Sequence, residues 1–110
     1  MQATRDTGPI RSLLVDDQSL ERLDAFVVEL GERIDLIQEA EQEGQLEEAG
    51  KRAGELAREA VALGLPPLAE AAQRVVASCR QGSPDVARAE IVQLTDVVTR
   101  VRLGHRGSAY

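Results

Sequence analysis

Between residues 46 and 63, apolar side chains recur at Leu46, Ala49, Ala53, Leu56, Ala60 and Leu63, with intervals of 3, 4, 3, 4 and 3. Only an α-helix brings residues so spaced onto one side, and alternating threes and fours form the seam of a helix packed lengthwise on its neighbours. A half-buried strand would need a period of two. This stretch is therefore one wall of a helical contact, and the rest of the chain must supply the others.

It does so in three further segments. Leu20, Leu23, Phe26, Val27, Leu30, Ile34 and Ile37 share a face of a helix from Leu20 to Glu43, with Ser19 as N-cap and Gly44 as the stop. The seam helix follows from Gln45 to Leu63, and Gly64 ends it. Pro66-Pro67 opens a third helix, because a proline in the first turn lacks only a donor that would be unpaired anyway. Its inner face is Leu68, Ala72, Val75, Val76 and Cys79, and Gln81-Gly82 closes it. Ser83-Pro84-Asp85 starts a fourth, which carries Ala87, Ile91, Leu94, Val98 and Val101 up to a stop at Gly104. Short connections favour antiparallel neighbours, so the expected fold is all-α: an antiparallel, up-down-up-down four-helix bundle. Ahead of it, Ile10, Leu13 and Leu14 predict a short helical turn packed across the bundle. The expected organisation is a flexible arm at residues 1–9 around Gly8-Pro9, a bundle over 10–103 and a flexible tail over 104–110.

A chain of 110 residues is long enough for one such core without metal or disulfide staples. Phe26 and Tyr110 are its only aromatics, so the core must be aliphatic and base-stacking has no platform. Thirteen basic against 19 acidic side chains give a net charge of −6, which argues against nucleic acid or anionic membrane as a partner. Residues 20–43 hold eight acids against Arg22 and Arg33, 2 − 8 = −6, and predict a solvated acidic face. The lone Cys79 cannot form an internal disulfide, and its spacing marks a reduced core thiol. No apolar run approaches the roughly 20 residues of a membrane span, and MQATRDTG has no signal-peptide character, so a soluble cytoplasmic protein is expected. There is no His/Cys cluster and no Gly-rich phosphate loop, hence no expected metal or cofactor.

Beside the seam of the second helix runs a second stripe, Gly50, Gly54, Ala57 and Val61, spaced 4, 3, 4. Lys51 and Arg58 lie three residues before Gly54 and four after it, on the same face. Two glycines inside one helix each cost roughly 1 kcal/mol relative to alanine. The stripe reads either as a surface kept low for another backbone, or as the place where Ile10–Val15 packs, or as tolerated glycines.

The segment Ala53–Gly64, AGELAREAVALG, resembles the signature helix of histidine phosphotransfer (HPt) domains. That signature reads His-x-Leu-Lys-Gly-x-Ala with a Gly after three more residues, and Leu56, Ala60 and Gly64 fall on matching positions. The likeness covers about 90 residues and extends to Glu-Arg-Ile at 32–34, Glu-Gly-Gln-Leu at 43–46, Leu63-Gly64 and Leu68-Ala-Glu. The departures fall on the chemistry: Gly54 stands in the place of the phosphoacceptor histidine, Ala57 in that of the lysine, and Arg58 in that of the close-approach glycine. A relay needs an imidazole nitrogen to take up the phosphoryl group, and Gly54 has no side chain. His105, the only histidine, is expected to be solvated in the tail.

The resemblance implies a non-catalytic, HPt-like signalling protein in a two-component or phosphorelay context. Its partner would be a response-regulator receiver domain, bound by the exposed face of the second helix through Gly50, Lys51, Gly54, Ala57, Arg58 and Val61. Arg58 has the planar donor set that a carboxylate or phosphoryl group accepts from. The alternative is a structural helical adaptor unrelated to phosphorelay, a monomer or weak homodimer using the bare stripe as its seam.

Overall fold

Helix follows the apolar spacing along the chain, and three short turns interrupt it at 43–45, 63–65 and 82–83. A computed structural model describes residues 8–13 and 17–108, with side chains at 8–13 and 20–105. Its elements are α1 (Asp17–Gln42), α2 (Leu46–Ala62), α3 (Pro66–Gln81) and α4 (Pro84–Ser108), with no strand among the described residues. The α2–α3 turn shows how the breaks work. Gly64 adopts φ 72°, which only glycine enters without strain, and the chain folds back on the helix end. The N–H of Leu65 then reaches the carbonyl of Ala60 at 2.9 Å, and that of Gly64 the carbonyl of Val61 at 3.2 Å. Leu65 follows into the core at 1% exposure. At the start of α4, the Ser83 hydroxyl accepts the Val86 N–H at 3.4 Å, as the Ser-Pro-Asp signal predicts.

The four seams close on one aliphatic core whose largest fully buried side chains include Leu30, Ile37, Leu56, Leu68, Leu94 and Val101. Each helix packs on its chain neighbours, and α1 closes the ring onto α4. Near the start of α1, Asp24 meets His105; near its end, Glu41 meets Arg88, so α1 and α4 run in opposite directions. Gly50 lies against Cys79 and Gly54 against Val76, which sets α2 against α3 in the same way. This is a four-helix bundle of all-α class, as the periodicity predicts. Leu20 is the outlier of its seam, 38% exposed near the start of α1.

The structure corrects the ends. Helix α1 begins at Asp17, so Ser19 lies inside the helix and does not cap it. Residues Ile10–Leu13 form no helical turn but an irregular strap laid across the ends of α2 and α4. The Ile10 N–H donates to the Arg100 carbonyl at 2.9 Å and the Leu13 N–H to the Gly64 carbonyl at 2.8 Å. The Ser12 hydroxyl donates to the Leu63 carbonyl at 2.6 Å. The Ser12 and Leu13 donors satisfy carbonyls just past the end of α2, and the Ile10 donor goes to α4. Ile10 is buried and Leu13 is exposed, while Leu14 and residues 1–7 lie outside the described residues. The arm is tied at Gly8, whose carbonyl accepts from Arg100 Nε at 2.9 Å.

Gly104 does not stop α4, which continues to Ser108. Its role is close approach. A Cβ there would fall 2.6 Å from the carbonyl carbon of Ile10 and nearer still to the oxygen, so the strap fits only over a bare backbone. His105, on the next residue, is likewise no solvated tail group: its Nε2 lies 2.5 Å from Asp24 Oδ1.

Candidate functional site

Helix α2 is amphipathic, with Ala49, Ala53, Leu56 and Ala60 turned inward and Lys51, Glu55, Arg58 and Glu59 outward. The six residues expected to form one exposed face divide between these directions. Lys51 and Arg58 are exposed, and Val61 is 68% exposed. Gly50 and Gly54 are half-buried, and Ala57 is fully buried. Ala57 therefore does not belong to an accessible face. The reason is the position of α3, which runs along the small-residue stripe. A Cβ on Gly50 would stand 3.1 Å from Cys79 Cβ, and one on Gly54 would stand 3.8 Å from Val76 Cγ2. What the stripe receives is the Val76 and Cys79 side chains of α3, and the backbone of the N-terminal segment approaches Gly104 instead. A homodimer seam along the whole stripe would have to displace α3.

What stays open is the outer edge of the stripe. The Arg58 guanidinium lies back over Gly54, with Nη1 3.8 Å from where a Cβ would be. Among the described residues, neither Arg58 nor Lys51 has a carboxylate within ion-pair distance, whereas Arg52 pairs with Glu48 at 2.9 Å and Arg33 with Glu59 at 2.8 Å. Two free cations thus flank a shallow floor at Gly54. Next to Lys51 the face dips into a hollow of about 400 Å³ lined by Leu46, Glu47, Gly50, Val76, Cys79 and Arg80, with Lys51 on its rim. Sequence reasoning had Leu46, Val76 and Cys79 as core residues and did not single out Arg80. The sequence carried no signal for it: Arg80 reaches this opening only because α2 and α3 pack with Gly50 against Cys79.

Cys79 is buried and free, as its spacing predicts. Burial pushes its thiol above the usual value, and the charge of Glu41 pushes it the same way, so it is protonated at neutral pH and a poor nucleophile. Glu41 also corrects the picture of α1 as an evenly solvated acidic face. It is 6% exposed, and its carboxylate accepts from Arg88 at 3.0 Å (Nη2) and 3.3 Å (Nε). Those contacts hold the Arg88 guanidinium even more firmly charged than usual.

At position 54 there is no side chain to accept a phosphoryl group, and the described residues contain no group of three His, Cys, Asp or Glu placed to hold a metal ion. The arrangement presents two unpaired cations beside a half-open floor, which suits recognition of a carboxylate or phosphoryl oxygen on another molecule. No family model, no curated protein and no solved structure matches this chain.

Proposed function

We propose that this protein is a non-catalytic, HPt-like signalling module that docks a response-regulator receiver domain on the open edge of α2. It modulates that partner by occupancy and carries no phosphate itself. The observation that carries the reading is the pair of exposed cations, Lys51 and Arg58, without acidic partners among the described residues, flanking Gly54 at the position where the resembled family has its histidine. Receiver domains of that family's partners present an acidic pocket, and a guanidinium over a bare floor is a fitting counterpart. Val61 and the edges of Gly50 and Gly54 complete the contact. Such a module works in the cytoplasm; no helix among the described residues is long and apolar enough to cross a membrane.

The test is calorimetry against receiver domains of the same cell, each with and without an acyl-phosphate mimic. A micromolar complex is expected, abolished in the double variant Arg58→Glu, Gly54→Trp while the helical circular dichroism is kept. Unchanged affinity in that variant removes the docking face.

A further inference from the structure

The hollow beside Lys51 has a composition that the docking reading alone does not require. Its floor is apolar: Leu46 and Val76 are only partly buried there, and the Cys79 side chain closes the bottom. Gly50 keeps its wall low on the α2 side, where a Cβ would come within 3.1 Å of Cys79 Cβ. Its rim holds Lys51 and Arg80, both exposed and without carboxylate partners among the described residues. Elsewhere Arg33, Arg52, Arg74, Arg88 and Arg100 all have such partners. Arg11, Arg22, Arg58 and Arg102 also lack such partners among the described residues, so what sets the hollow apart is the apolar floor lying between two of these cations. Glu47 on the same rim disfavours a bare anion, which would meet its charge. An occupant that is apolar at its centre, with carboxylates that reach Lys51 and Arg80 but not Glu47, fits this lining.

We propose that this hollow is the anchoring subsite of the docking face. It takes one apolar side chain from an acidic protein surface whose flanking carboxylates pair with Lys51 and Arg80. The proposal rests on the docking reading and moves the centre of the contact from Gly54 toward the start of α2 and the end of α3. At about 400 Å³ the hollow is near the lower end of pockets that bind drug-sized molecules, roughly 300–1,000 Å³, so it has room for one side chain together with the groups that flank it. Anchors of this kind, enclosed by a polar rim, dominate the affinity of protein interfaces.

Arg80→Glu tests this with little risk to the fold, because Arg80 is exposed in the last turn of α3. Arg22→Glu, an equal charge change on exposed α1, is the control. With the receiver domain that binds in the calorimetric screen, Arg80→Glu is expected to weaken the complex by about tenfold or more and Arg22→Glu by less than about twofold. Cys79 supplies a second readout, since an occupied hollow is expected to slow its alkylation by iodoacetamide about tenfold at saturating receiver. If Arg80→Glu matches Arg22→Glu, or alkylation proceeds at the same rate in the complex, the anchoring subsite is overturned. Docking itself still stands in that case, provided Arg58→Glu with Gly54→Trp abolishes binding. If no receiver binds, both the docking reading and the subsite fall.

Discussion

Gly54 and Gly104 both sit inside helices, and they answer to different neighbours. A methyl on Gly54 would meet Arg58 Nη1 and Val76 Cγ2 at 3.8 Å, an ordinary contact. Gly54→Ala is therefore expected to stabilise the fold by about 0.5–1 kcal/mol, the difference in helix propensity. A methyl on Gly104 would collide with the Ile10 backbone, so Gly104→Ala is expected to cost roughly 1–3 kcal/mol despite the same propensity gain. Urea denaturation of both variants checks the pair, and a stabilised Gly104→Ala would mean that the strap leaves without penalty. Cys79 makes a prediction in pH. Its folded pKa is raised above the ordinary 9.0, so below that value the thiol is protonated in both states and its contribution is fully present. As pH rises past 9.0, the unfolded chain loses the proton first and stability falls until the folded thiol also titrates. The stability difference between the wild type and Cys79→Ala should shrink over that window; a constant difference would show that the buried thiol is not titrating late.

Among the elements, the strap is the one whose contribution is least evident from its length. Residues 8–13 hold one buried side chain, Ile10, yet they supply donors to Arg100, Leu63 and Gly64 and accept from Arg100. They close the end of the bundle where α2 runs out of partners for its carbonyls. Ile10→Ala is expected to lower stability by about 2–4 kcal/mol, as for other buried isoleucines, with the loss seen in a single unfolding transition. A loss below about 0.5 kcal/mol would mean that the strap unfolds on its own before the bundle does. The helices themselves were legible. Their seams, the turn at Gly64 and the Ser83 start follow from spacing and turn chemistry, whereas the strap does not. Three apolar residues at 10, 13 and 14 fit a helical turn equally well, and only the open carbonyls of α2, far away in sequence, select the irregular form.

For the molecule as a whole, the distribution of charge matters more than the number of ion pairs. Most of the pairs described are partly exposed at the surface, as in Arg52–Glu48 and Arg74–Glu90, where each is worth little. The net −6 sits largely along α1 as like-charge repulsion. Screening it should raise the melting temperature by roughly a few degrees between low and high sodium chloride. A fall instead would show that the surface pairs outweigh the repulsion.

From the residues alone came the fold class, the four seams, the helix breaks at Gly44, Gly64 and Gly82, and the buried thiol. Each of these depends on interactions within a few residues or on a side chain's own chemistry, which spacing and identity already state. The tertiary structure alone decided which neighbour uses each bare patch. Gly50, Gly54 and Ala57 looked like one open stripe with Val61, but α3 lies on it and leaves only an edge; Gly104 looked like a helix stop, but Ile10 lies on it. Arg80 reaches the rim of the hollow because α2 and α3 pair in one register. Periodicity tells a helix which side to bury, while the partner that covers a particular turn is set by the mutual packing of all four helices and the strap.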